Sequence, residues 1–268
     1  MKQTERPIAV FDSGVGGISV LRELVHLMPD ENYIFFGDSK NAPYGGKSLE
    51  EVRELTECHV RHLLSEGAKA VVIACNTATS ADVSILRKEY PDVPVVGIEP
   101  ALKPAVQFME HPRVLVMATP MTIREEKFQR LMARYEKEAE IYPLACPGIV
   151  EFVERGELNS ADLKAFLYRL LKPYCEGTVD AIVLGCTHYP LLINKIIKYT
   201  PRNIRLVPQG EYVAYSLKSY LERHTEIDDK CTKGGTCRFL TTESPEKFKE
   251  SASVFLKRNV EAERVTLE

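Results

Sequence analysis

The sequence predicts an α/β fold of two similar halves, each a mainly parallel sheet flanked by helices; if the halves face each other, the functional site lies in the cleft between them. Three observations carry this expectation. Short apolar runs alternate with longer amphipathic stretches along most of the chain, the pattern of a parallel sheet covered on both faces. The alternation restarts near the middle. One short pattern also occurs twice: residues 70–78 read AVVIACNTA and residues 181–189 read AIVLGCTHY. Each copy is an apolar run, a small residue, a cysteine and then short polar groups.

Taken in order, residues 6–11 end in IAVF and predict a first strand, and a glycine turn leads to a helix at 20–27. Residues 33–36 read as the second strand, followed by a polar loop at 37–46. Residues 49–66 carry Leu55, Val60 and Leu63 among charges at helical spacing, and Gly67 ends that helix. A strand at 70–74, a helix at 77–90 and a strand at 93–96 complete the first half. The second half runs strand 114–118, helix 122–135, strand 141–144, helix 160–171, strand 181–184, helix 191–199, strand 204–207 and helix 211–224. Residues 238–241 then predict a strand and 245–256 a helix, a tail able to return to the first half. The charged stretch 257–268 is expected to fray. The expected domains are 1–98 with 208–268, and 99–207.

A chain of 268 residues suits one large domain or two modest ones. Its 44% hydrophobic and 27% charged residues are those of an ordinary globular protein. Thirty-five basic against 38 acidic residues leave no electrostatic footprint for nucleic acid. The opening MKQTERPIAVF passes from charges straight into a strand-like run, so no secretory signal is expected. The apolar runs fall far short of the ~18 residues of a membrane helix. Seven cysteines, an odd number, argue against a disulfide framework and for a reducing cytosol. Cys58 and Cys175 fall in helix-like stretches with no partner motif. Cys231 and Cys237 flank a glycine-rich turn, but their spacing misses the zinc CxxC and His224 alone does not supply a site.

Cys75 and Cys186 each end a buried-type strand, where open α/β sheets bind ligands. Asn76 and Thr77 then open a helix, whose exposed N–H groups attract an anion and favour a thiolate. Thr187 and His188 repeat the placement. Packing as a small hydrophobe is the ordinary explanation for either cysteine alone; the matched pair favours chemistry. Two thiols flanking one small substrate suit removal of a proton from one face of a carbon and its return to the other. Asp12-Ser13-Gly14-Val15-Gly16-Gly17 brings backbone N–H groups close to a ligand. It matches neither the dinucleotide fingerprint, since position 19 is serine, nor a Walker motif. Asp12 suits an ammonium group or a neighbouring acid–base residue. In the loop 37–46, Pro43 and the glycines Gly45 and Gly46 can fix backbone groups around a carboxylate and Tyr44 adds a hydroxyl, although a plain turn explains them too. Thr119 and Thr122 occupy the next strand-to-helix junction, one as an N-cap and either as a donor to a carboxylate. His188 can hold a proton or stabilise a Cys186 thiolate. Cys146 precedes a Pro-Gly bend and reads as packing. Periodicity does not decide whether Glu151 or Glu154 faces the cleft.

With these motifs assembled, the chain resembles the glutamate racemases of the cofactor-independent aspartate/glutamate racemase superfamily. The resemblance runs from Ile8 to about Leu256 and rests on DSGVGG at 12–17, PYG at 43–45, ACNTA at 74–78 and GCTHYPLL at 185–192, with TTESPEKF near the C-terminus. It implies two pseudo-symmetric domains with the amino acid held between them, and neither cofactor nor metal. It implies that Cys75 deprotonates the D enantiomer and Cys186 the L enantiomer, assisted by Asp12 and His188 respectively, with Glu154 near His188. Ser13, Pro43, Tyr44, Gly45, Asn76, Thr77, Thr119, Thr122 and Thr187 match substrate-binding positions. It further implies a cytoplasmic homodimer supplying D-glutamate for peptidoglycan. The chain departs from common family residues at Ser39-Lys40-Asn41-Ala42, Glu151 and Pro208. An aspartate racemase, a cysteine hydrolase and a ligand-binding protein without catalysis are the alternatives. The repeated thiol fits a hydrolase poorly, because one nucleophile with a paired base would suffice there.

Overall fold

A computed structural model describes residues 6–174, 177–228 and 231–267; Cys175 lies outside the described residues. The first alternation comprises β1 (Ile8–Asp12), α1 (Ile18–Leu27), β2 (Tyr33–Gly37), α2 (Leu49–Ser65), β3 (Ala70–Ile73), α3 (Asn76–Glu89) and β4 (Val95–Gly97). The second comprises α4 (Leu102–Val106), β5 (Arg113–Ala118), α5 (Pro120–Arg124), α6 (Glu126–Tyr135), β6 (Glu140–Ala145), α7 (Ile149–Glu154), α8 (Ala161–Leu171), β7 (Ala181–Leu184), α9 (Ile193–Ile196) and β8 (Arg205–Val207). The chain ends with α10 (Gly210–Arg223), α11 (Thr225–Asp228), β9 (Cys237–Thr241), α12 (Pro245–Leu256) and β10 (Ala262–Arg264).

Among the described residues the strands form a six-stranded sheet, ordered β10-β9-β2-β1-β3-β4, and a four-stranded sheet, ordered β6-β5-β7-β8. Every pairing is parallel. The two sheets share one arrangement: the first strand of each half is flanked by the second and the third, and the fourth lies beyond the third. The repeated sequence pattern thus falls on equivalent strands, β3 and β7. Both are interior and fully buried, which explains their uninterrupted apolar runs. The C-terminal strands extend the first sheet beyond β2, and α10 packs against α1. One buried apolar cluster joins residues of both halves, including Val15, Leu24, Phe35, Val153, Leu184 and Tyr189. No helix among the described residues is long and apolar enough to cross a membrane.

Local chemistry sets the element ends. Ser48 accepts from Glu51 N while the Glu51 carboxylate accepts from Ser48 N, a reciprocal cap at the start of α2. Gly67, at φ +86°, turns the chain from α2 toward β3. Four expectations change. The helix expected at 122–135 is two helices, broken where Glu125 adopts extended backbone. The helix expected at 191–199 is α9 flanked by 3₁₀ turns, after Pro190 has interrupted its start. Helices α4, α7 and α11 were not foreseen; each is four to six residues long, too short to establish a period. The charged tail does not simply fray: β10 pairs with β9 after Lys257 turns the chain at φ +54°.

Candidate active site

Cys75 and Cys186 stand just past the C-terminal ends of β3 and β7, each beside the first strand of its own half. They line one small cavity of about 10 Å³, with Ser13, Pro43, Tyr44, Gly45, Asn76, Thr77, Thr119, Val150, Thr187 and His188. That space holds about one water. The thiols are only 5% and 6% exposed. Each half contributes one sulfur to a shared space.

On the Cys186 side, Sγ lies 3.7 Å from His188 Nδ1. His188 Nε2 is 2.6 Å from Glu154 Oε1, which also accepts from Val15 N at 2.8 Å. Burial opposes a charge on His188, but hydrogen bonds and charge from Cys186 and Glu154 outweigh it and push its pKa well above the usual histidine value. Positive charge on that ring favours negative charge on whatever lies beside it. Thr187 Oγ1 donates to Asp12 Oδ1 at 3.1 Å, and Ser19 Oγ donates to Thr187 O at 2.9 Å. Asp12 Oδ2 accepts from Gly14 N at 3.0 Å. Burial raises the Asp12 pKa, opposed by the charge of His188 and assisted by that of Glu154.

On the Cys75 side, the thiol caps α3, accepting from Ala78 N at 3.5 Å. Burial, followed by the Asp12 charge, pushes its pKa up to about 12. A hydroxyl chain crosses between the halves: Thr77 Oγ1 lies 3.2 Å from Thr119 Oγ1, which donates to Thr122 Oγ1 at 3.0 Å. Thr119 is the N-cap of α5, as its sequence position allowed. Tyr44 OH donates to Asp38 Oδ2 at 2.6 Å, and Thr242 Oγ1 donates to Asp38 Oδ1 at 2.6 Å. Burial would raise the Asp38 pKa, yet the His59 ring 3.6 Å away and hydrogen bonds from Thr242 and Tyr44 hold it below the usual value. Asp38 anchors the tyrosine and stays ionised.

Glycine makes these approaches possible. A Cβ on Gly16 would stand 2.4 Å from His188 Nδ1 and 2.7 Å from Thr187 Oγ1. One on Gly14 would meet Glu154 Oε1 at 1.9 Å. The DSGVGG turn is therefore bare because the other half's acid–base residues press against its backbone.

Of the residues the sequence singled out, Asp12, Glu154 and Thr122 stand behind the cavity wall, and the other eleven line it. The structure separates the two glutamates: neither lines the cavity, but Glu154, at the end of α7, bonds His188. Sequence reasoning missed Val150, which lines the cavity from α7, and Gln209, which bonds Asn76. The Val150 signal was hidden with its short helix. Asp38 was noticed only as part of its loop, since no spacing rule pairs it with the Tyr44 hydroxyl six residues on. Among the described residues no group of three or more His, Cys, Asp or Glu side chains is placed to hold a metal. Cys231 donates instead to Ile227 O at 3.2 Å.

A family model for Asp/Glu/hydantoin racemases matches residues 12–208. A glutamate racemase of Clostridium perfringens is 46% identical over 237 residues, 88% of this chain and 91% of that protein. Among solved structures, glutamate racemase isoform RacE1 from Bacillus anthracis superposes with a TM-score of 0.86 at 30% identity, covering 98% of both chains. Escherichia coli glutamate racemase, solved with L-glutamate and the activator UDP-MurNAc-Ala, gives 0.84 at 31% identity, covering 98% of this chain and 99% of the other.

Proposed function

The chain belongs to the Asp/Glu/hydantoin racemase family, and from that premise we propose that it interconverts L-glutamate and D-glutamate by two-base proton transfer between Cys75 and Cys186. The observation that carries the mechanism is one small cavity lined by one thiol from each half. One sulfur cannot reach both faces of Cα, so inversion needs two.

In the L-to-D direction the Cys186 thiolate takes the α-proton, and the Cys75 thiol delivers a proton to the opposite face. The reverse reaction exchanges these roles. His188, held by Glu154, supplies positive charge beside the Cys186 sulfur. Asp12 assists Cys75: burial favours its protonated form, and that form removes the negative charge that opposes a thiolate at Cys75. The developing enediolate-like charge meets uncharged donors, with Asn76, Thr77, Thr119, Thr187 and Ser13 around the cavity and Thr122 supporting Thr119. Pro43, Tyr44 and Gly45 close the wall on the first-sheet side. Because the cavity holds about one water, the halves must part to admit an amino acid; closing again excludes solvent and strengthens each of these interactions.

The domains of this reading are residues 1–98 with 208–268, and 99–207. The product serves peptidoglycan synthesis, the family's general role, and the protein works as a cytoplasmic homodimer. The test is incubation of pure, cofactor-free protein with L-glutamate in D₂O, following optical rotation and α-deuterium together. Decay of rotation to zero with deuterium incorporation is expected. Faster turnover of aspartate than glutamate would move the substrate assignment, and binding without exchange would defeat the catalytic one.

A further inference from the structure

We infer that Gln209 is a positioning residue for this reaction, holding the Asn76 carboxamide that faces the substrate; the inference rests on the racemase reading above. Asn76 follows Cys75 directly, opens α3 and lines the cavity. Its flat carboxamide turns freely unless something fixes its plane. Gln209 Nε2 donates to Asn76 Oδ1 at 2.5 Å, and Asn76 Nδ2 donates to Gln209 Oε1 at 3.0 Å. The two bonds close a ring between side chains that are 1% and 3% exposed. Breaking one strands a polar group away from water. The ring uses one N–H and one lone pair of Asn76 and leaves one of each for a ligand. Gln209 thereby sets the plane in which Asn76 offers its remaining N–H.

The position of Gln209 in the chain makes this more than local packing. It lies between β8 of the second sheet and α10, which packs on α1 of the first. This is one of the two crossings between the halves, the other joining β4 to β5. The ring therefore ties a crossing segment to the residue beside Cys75, so the placement of Asn76 depends on how the halves sit.

Gln209→Leu removes both bonds at similar size, and kcat/KM for glutamate is expected to fall about tenfold or more. Gln209→Glu supplies the readout that a purely structural role would not move. Its carboxylate only accepts, leaving Asn76 Oδ1 without a donor, whereas its protonated form rebuilds both bonds. Activity relative to the wild type should therefore rise as the assay is taken from about pH 8 to about pH 6. Parallel pH profiles for Gln209→Glu and the wild type overturn the inference, whether or not the leucine variant folds. A wild-type protein that fails to exchange the α-hydrogen of glutamate overturns the racemase reading instead, so the two failures are distinguishable.

Discussion

The two cysteines have unlike surroundings although their sequence contexts match. Cys186 has an imidazole 3.7 Å away, itself bonded to a carboxylate; Cys75 has a helix N–H and a buried aspartate. Cys75→Ser or Cys186→Ser should abolish nearly all racemisation, because a hydroxyl is a far weaker acid than a thiol, while circular dichroism stays that of the wild type. Normal turnover by either variant would defeat the two-base assignment. Glu154→Gln keeps the shape but removes the charge that supports the His188 imidazolium. The rate should fall about ten- to a hundredfold. With the His188 pKa lowered, the loss of activity at high pH should begin at a lower pH than in the wild type, as a pH–rate profile would show. The sequence exposed both thiols and His188 because a repeated motif carries them. It could not choose Glu154 over Glu151, since a six-residue helix leaves no period from which to read its inner face.

At the scale of elements, helix α3 carries a group the chemistry does not use. Asp82 is 1% exposed and neither of its carboxylate oxygens has a hydrogen-bond partner. Burial, then the charges of Glu57 and Glu89 against that of Arg53, raise its pKa from 3.8 to about 7. The folded state therefore holds a proton that the unfolded chain has already released. Stability falls as the pH rises between those two values and levels off above them. Asp82→Asn removes the charge at constant shape. It should be more stable than the wild type near pH 8 and nearly equal to it near pH 4, measured by urea unfolding at both. An equal difference at the two values would rule out an ionising Asp82. The same scale shows where the sequence was easy and hard to read. Buried strands such as β3 and β7 came through as continuous apolar runs, and α2 through its period. Breaks went unseen when they depended on tertiary packing, as at Glu125, and so did β10, whose residues are half-exposed at the sheet edge.

Across the whole molecule, the paired sheets were legible because an interior parallel strand leaves the same signature wherever it occurs. The closing of one sheet's loops onto the other's was not, because it depends on contacts such as Gly16 against His188, between residues far apart in sequence. The unequal settings of the two sulfurs have one further consequence. Mirror-image glutamates have the same free energy in water, so their ratio at equilibrium is one and no protein can alter it. An imidazolium beside Cys186 and a Cys75 thiol pushed up to about 12 can only bias which proton arrangement the idle catalyst adopts. That arrangement, an imidazolium at His188 and a proton held on Cys75, is the one that favours the L form. The D form must wait for the rarer alternative, and its apparent affinity drops by that fraction. Progress curves begun from each pure enantiomer should give a lower KM for L than for D, with kcat lower in the same proportion and kcat/KM identical.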